Sequence, residues 1–325
     1  MESTQVLVSF NASQEQKQHI NDGLSKWCSI SYLAETKDRD AAIRKADIIL
    51  AWNPPKEFLQ SEYALMVNAR FMQLLSAGAD HIPFERLSEG LSVAGNVGAY
   101  ADPMAEHVMA MALALAKNLR AGHEKLARGN FDQYRLNVSF KGAVCAILGF
   151  GGIGKASARL MRAFGAKIYA INSSGKTDEP VDFIGTLKDL EFVLKNADVI
   201  AISIPLSNAT KGLIGERELS WMKPSAILVN VARGQIIDEK ALFEFLKTHP
   251  DFKAGIDAWW IEPFRDNRFE IHYPFFELPN VLGSPHNSGI VPEAISNATR
   301  DAVENIKRFL QGLTVKGIIK KEEYL

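Results

Sequence analysis

Short apolar runs alternate with stretches of helical period along almost the whole chain, the pattern of parallel sheets covered on both faces. In the first third, the runs predict strands at residues 6–10, 29–33, 47–51 and 71–75, with helices between them. Turn residues punctuate them: Asn53-Pro54-Pro55 closes the third run and Ser76-Ala77-Gly78-Ala79 the fourth. A second array opens at Lys141, with strands predicted at 143–148, 167–171, 198–203, 226–230, 252–257 and 281–283. The stretch 104–119, MAEHVMAMALALAKNL, is apolar nearly all round at helical period and so must be covered on more than one side, inside its own domain or against another subunit. The last helical pattern, 292–311, is amphipathic, lies beyond the second array and is expected to pack back on the first domain.

Composition narrows the class. A chain of 325 residues with 47% apolar residues suffices for two buried cores. A net charge of −1 without a long basic block argues against nucleic acid or an anionic membrane as partner. No 18-residue apolar run is present, and MESTQVLVSF reads as a first strand rather than a leader. The two cysteines, Cys28 and Cys145, fall in different predicted domains, which points to a reducing compartment; the protein is expected to be cytoplasmic.

The chemistry begins at Gly149-x-Gly151-x-x-Gly154, directly after an apolar strand and opening a predicted helix at 153–164. Gly149 permits the tight turn, Gly151 lets the backbone approach a pyrophosphate, and Gly154 allows helix to pack on strand; the helix N-terminus then offers N–H groups to the phosphates. The fold class is therefore α/β: two doubly wound parallel-sheet domains, a Rossmann dinucleotide-binding domain (100–289) inserted into a flavodoxin-like substrate domain (1–99 and 290–325).

Three further residues follow separate predicted strands of that domain, where ligands of open parallel sheets bind. Arg233, in Val231-Ala232-Arg233-Gly234, offers a planar cationic fork that grips a carboxylate and polarises the adjacent carbonyl. His286, in Ser284-Pro285-His286-Asn287-Ser288-Gly289, carries the only side chain that ordinarily exchanges a proton near neutrality. Glu262, in Asp257-Ala258-Trp259-Trp260-Ile261-Glu262-Pro263, is a carboxylate able to orient that imidazole and favour its protonated form, though a solvated loop residue is the bland alternative. Asp257 ends its strand toward the same crevice, where it could accept from a nicotinamide amide. His81 is a second-rank acid/base candidate; His19, His123, His249 and His272 read as surface or loop residues, and His107 lies on the apolar helix. No metal site is expected.

These segments together make the chain resemble the D-isomer-specific 2-hydroxyacid dehydrogenases along essentially its full length. The match runs through Ser76-Ala77-Gly78-Ala79-Asp80, Asn96-Val97-Gly98, Ala105-Glu106-His107, the glycine loop, Asn230 to Gly234, Asp257 to Pro263 and Ser284-Pro285-His286. The resemblance implies Arg233 as substrate-binding cation, His286 as acid/base and Glu262 as its partner. It also implies that N–H groups around Ala77 and Gly78 hold the substrate carboxylate, with catalysis in the cleft between domains, and a homodimer built partly on the helix after Ala105. Gly152, Ile153, Pro205, Thr210, Val231, Ala232 and Ser288 complete the expected cofactor-binding set.

Within that family, Ala51-Trp52-Asn53-Pro54-Pro55 looks like a segment of some glyoxylate and hydroxypyruvate reductases, which points to a small 2-keto or 2-hydroxy acid as substrate. Two departures stand out. Residues 264–277 are longer than the usual version, and Asn172 stands where NAD-preferring members carry an acid. Without that carboxylate a ribose 2′-phosphate is not repelled, and Ser173, Ser174 and Lys176 can donate to it, so NADP is expected as the preferred cofactor, with NAD possible. A formate or phosphite dehydrogenase is the nearby alternative on the same scaffold; formate dehydrogenases resemble the pattern with Gln in place of Glu262, which counts against that branch. A dinucleotide-sensing corepressor or scaffold on the same fold is the alternative from a different class, separated from an enzyme by assay of turnover.

Overall fold

Strands whose two faces are both covered lose the alternation of apolar and polar positions and read as unbroken apolar runs. That is the case for β3 (Ile48–Ala51), β9 (Val199–Ile202) and β10 (Ile227–Asn230), every residue of which is buried in the computed structural model, which describes residues 3–325. The chain divides into two units, one running through Tyr100 and resuming at Val291–Leu325, the other Ala101–Ile290.

The first unit holds β1 (Gln5–Val8), β2 (Ser29–Tyr32), β3, β4 (Phe71–Leu74) and β5 (Ser92–Ala94) in the order β2-β1-β3-β4-β5, all parallel. β5 was not expected; a three-residue strand is too short to carry a periodic signal and forms because β4 offers it an edge. The final helix, Ala294–Leu310, belongs to this unit. Its Asn305 Nδ2 donates to Gln73 Oε1 on β4 at 2.6 Å, Asn96 Nδ2 donates to its Ala298 carbonyl at 2.8 Å, and Phe309 stacks on Phe71 at 4.5 Å. Gln73 is fully buried within its strand, and the Asn305 amide supplies the partner that burial demands.

The second unit is a seven-stranded parallel sheet. Its strands are β6 (Val144–Leu148), β7 (Lys167–Ile171), β8 (Phe183–Gly185), β9, β10, β11 (Lys253–Ile256) and β12 (Val281–Gly283), in the order β12-β11-β10-β9-β6-β7-β8. The order reverses between β6 and β9, and a crevice opens at the carboxyl ends of two such strands. β8, again three residues, was not expected. Apolar side chains cover both faces of the sheet, one layer centred on Ile200, Leu228 and Phe252, the other on Ile147, Ile168 and Val229. Lys253, buried in β11, is satisfied by donating to the Leu115 carbonyl at 2.9 Å, and burial holds its pKa below the usual lysine range.

The helix expected at 104–119 is corrected. It runs Ala101–Ala116, and Asn118, at φ 52°, breaks it before a second helix, Leu119–Ala127. Asparagine tolerates the left-handed region, and its Nδ2 donates to the Leu136 carbonyl and to Asn137 Oδ1 at 3.2 and 3.0 Å. Among the described residues, no helix is long and apolar enough to cross a membrane.

Candidate active site

The glycine loop leaves β6 at the sheet's switch point. Gly149 has φ 100°, and a Cβ there would lie 2.5 Å from the Ile204 nitrogen just beyond β9, so no other residue fits. Ser203 Oγ donates to the Gly149 carbonyl at 2.8 Å and ties the two strand ends together. A Cβ on Gly154 would collide with that same carbonyl, so helix Gly152–Ala163 packs where it does only with glycine. Gly151 is the N-cap and provides no side-chain bond, and the space beside its Cα is open. The first N–H groups of a twelve-residue helix, at Gly152, Ile153 and Gly154, thus face a position a pyrophosphate fits. Thr210 Oγ1 donates to the Pro205 carbonyl at 2.7 Å and accepts from Ser207 N–H at 2.8 Å, shaping the loop after β9.

β10, β11 and β12 are neighbours in the sheet, which brings Arg233, Glu262 and His286 to one edge. After β10, the buried Asn230 side chain accepts from Ala232 N–H at 3.0 Å and donates to the Arg233 carbonyl at 2.9 Å, so the Val231-Ala232 turn is held by its own strand end. The half-buried Arg233 guanidinium donates from Nη1 to the Ala232 carbonyl at 2.7 Å. Gly234 follows because a Cβ there would collide with the Trp259 backbone.

His286 Nδ1 lies 2.6 Å from Glu262 Oε2. An ionised carboxylate only accepts, so this contact assigns the hydrogen to Nδ1 and leaves Nε2 as the ring nitrogen able to take or give a proton. Glu262 is itself buried; its other oxygen accepts from Trp259 N–H, and its own N–H donates to Asp266 Oδ2 at 3.0 Å. The long segment 264–277 covers the adjacent tryptophans: Phe275 stacks on Trp260 at 5.3 Å and Phe276 tilts against Trp259 at 5.1 Å. Trp259 Nε1 in turn donates to the Ser284 carbonyl at 2.8 Å, so the two tryptophans are walls beside the His286 turn.

Asp257 is fully buried, with its carboxylate directed at that turn rather than into open space. Its Oδ1 accepts from Ser284 Oγ at 2.6 Å and from Asn287 N–H at 3.2 Å, and its Oδ2 from Ser288 N–H at 3.3 Å. His107 also reaches this cluster, with Nε2 2.9 Å from Ser284 Oγ. In the sequence it is one residue of an apolar helix, with no partner indicated. The available signal was its spacing, three after Met104 and four before Met111, which sets a titratable ring on the helix's buried stripe. The Ser288 hydroxyl is buried without a hydrogen-bond partner among the described residues, a polar atom suited to a ligand group beside His286.

At the other end of the cofactor site, the turn after β7 is organised by Asn172. Its Oδ1 accepts from Ser174 N–H at 3.1 Å, Ser174 Oγ at 3.2 Å and Gly175 N–H at 2.7 Å, while Nδ2 donates to the Lys176 carbonyl at 2.8 Å. Asn172 therefore shapes the turn, and the exposed Ser173 and Lys176 are the groups left to meet a ribose substituent. The first carboxylate beyond β7, Asp178, is held below the usual range by Lys155 at 2.5 Å. In the first unit, Ala77 and Gly78 follow β4, and neither N–H has a hydrogen-bond partner among the described residues. A Cβ at Gly95 would lie 2.6 Å from the Ala77 carbonyl, so the loop rests on bare backbone there.

The family description "D-isomer specific 2-hydroxyacid dehydrogenase, NAD binding domain" matches residues 109–288. The hydroxypyruvate reductase of Thermotoga maritima is 29% identical over 305 residues, covering 89% of this chain and 96% of that protein. The glyoxylate reductase of Thermococcus litoralis is 30% identical over 276 residues, covering 82% and 80%. In structure, a Pyrobaculum aerophilum protein provisionally called a formate dehydrogenase aligns with a TM-score of 0.81 at 27% identity, covering 100% of both chains. A switch-point glycine loop, a cation and a carboxylate-bound histidine on adjoining strands, and a family match over more than half its length together establish that the chain belongs to the D-isomer-specific 2-hydroxyacid dehydrogenases.

Proposed function

We propose that this protein is an NADPH-dependent reductase of a small 2-keto acid of the glyoxylate or hydroxypyruvate type, yielding the D-2-hydroxy acid. The observation that carries this reading is the 2.6 Å contact between His286 Nδ1 and Glu262, which leaves Nε2 to deliver a proton to the carbonyl oxygen of the substrate. Arg233 grips the substrate carboxylate with its fork and polarises the adjacent carbonyl. The bound dinucleotide supplies hydride from nicotinamide C4. Gly151, Gly152, Ile153 and Gly154 would hold its pyrophosphate, and Pro205, Thr210, Val231, Ala232 and Ser288 would complete its binding site. Asp257 acts through the turn it holds. In the reverse direction His286 Nε2 takes the hydroxyl proton. The Glu262 carboxylate supports the imidazolium that forms, which favours this reading over formate oxidation.

Coenzyme choice follows from the Asn172 turn, where no carboxylate opposes a 2′-phosphate and the exposed Ser173 and Lys176 can donate to it, the Ser174 hydroxyl being bonded within the turn. A panel of 2-keto acids, with formate as the contrasting donor, assayed with both coenzymes tests the whole reading. Turnover of glyoxylate or hydroxypyruvate is expected, with kcat/KM at least about tenfold higher for NADPH than NADH, equivalent to about 1.4 kcal/mol. Asn172→Asp should reverse much of the preference, and Lys176→Ala should lower efficiency with NADPH alone. Equal efficiency with both coenzymes removes the proposed ribose readout; no keto acid reduced at all returns the chain to the sensing or scaffold alternative.

The protein is further proposed to work as a cytoplasmic homodimer. Supporting this are two buried, unpaired thiols and an arm with Phe131, Tyr134 and Leu136 strongly exposed, beside helices Ala101–Ala116 and Leu119–Ala127. Sedimentation should give twice the chain mass, and Leu136→Asp should shift it toward the monomer; a monomeric wild type would overturn the assignment.

A further inference from the structure

His286 sits at φ 51°, in the left-handed region that a β-carbon disfavours, so the surrounding structure must impose that conformation. Asp257 is the group that does so. Its carbonyl accepts from His286 N–H at 3.0 Å, and its carboxylate takes Ser284 Oγ, Asn287 N–H and Ser288 N–H, one residue after another around the turn. The carboxylate is fully buried, so it depends on each of those donors staying in place.

The group that reaches it from another element is His107. Its Nε2 lies 2.9 Å from Ser284 Oγ and 3.6 Å from Asp257 Oδ1. Ser284 has one hydroxyl hydrogen, and the 2.6 Å contact spends it on Asp257. The Ser284 oxygen therefore accepts, and His107 Nε2 carries the hydrogen it donates. Without that donation the hydroxyl could turn to Met111 Sδ, 3.8 Å away on the next helical turn, and release the carboxylate.

We propose that His107 is a positioning residue: through Ser284 and Asp257 it clamps the left-handed turn that presents His286 to the substrate carbonyl. The proposal rests on the reading of His286 as acid/base, so its test has one arm that does not depend on turnover. In the free protein, His107→Leu should speed hydrogen exchange at the Asn287 and Ser288 amides by about tenfold or more. In the assay, it should lower kcat about 10- to 100-fold with KM for the keto acid little changed, since Arg233 is untouched and only the alignment of His286 is lost. His107→Gln, whose amide can donate to Ser284, should recover most of both effects. Ser284→Ala should match His107→Leu, and combining the two should cost nothing more, the mark of one linked unit. Ser284→Ala carries the same reading if Leu at 107 unfolds the chain. Unchanged exchange at Asn287 and Ser288, or a Gln variant as impaired as the Leu variant, overturns the clamp. Full activity in His286→Ala with faster exchange in His107→Leu would overturn the acid/base reading while leaving the clamp standing.

Discussion

Replacing His286 with alanine is expected to lower kcat by about 10² to 10⁴, the scale of a positioned acid, while the affinity for the dinucleotide stays nearly intact. The two quantities separate because the ring meets Glu262 at 2.6 Å on the β11 and β12 side of the sheet, whereas the phosphate loop leaves β6 on the far side of β10 and β9. Cofactor affinity is read by fluorescence titration and kcat by steady-state reduction of the best keto acid. A variant with wild-type kcat would remove His286 from the proton transfer. Removing one partner also leaves the buried Glu262 carboxylate with Trp259 N–H alone among the contacts described above, so some loss of thermal stability should accompany the kinetic effect.

Arg233→Lys should lower kcat/KM for the keto acid about 10- to 100-fold, with KM and kcat both worse and coenzyme KM little changed. Lysine keeps the charge but replaces a planar fork with a point charge. One charge-assisted hydrogen bond, worth about 1.5–3 kcal/mol, is lost, part of it already in the ground state and more in the transition state, where the polarised carbonyl oxygen carries more charge. The turn that carries Arg233 is fastened by Asn230 and packed through Gly234 against Trp259, so the substitution alters the head group without releasing the backbone. Normal turnover with lysine would show that two-point recognition by Arg233 is not used.

The glycine loop, the alternation of strands and helices and the three residues after β10, β11 and β12 were legible in the sequence because each is a local device. Gly149 answers a positive φ, Gly154 a close approach, and an apolar run a strand buried on both faces. β5 and β8 were not legible: three residues carry no period, and neither strand is marked as the equally short β12 is by the Ser284-Pro285-His286 turn that follows it. Nor was the helix break at Asn118, because helical residues follow it directly and the break rests on its side chain bonding to the distant Leu136 and Asn137. The sequence by itself determined which residue types stand at the carboxyl edge of the second sheet. Only the tertiary structure decided how they pair: that Glu262, 24 residues away in the chain, reaches His286, that Asp257 turns inward to hold the turn, and that Asn172 spends its amide on its own loop. The reason is physical. Periodicity and turn chemistry act over a few residues, whereas hydrogen-bond partners across a sheet edge are set by strand order, and buried polar groups take whichever partners that order brings within reach.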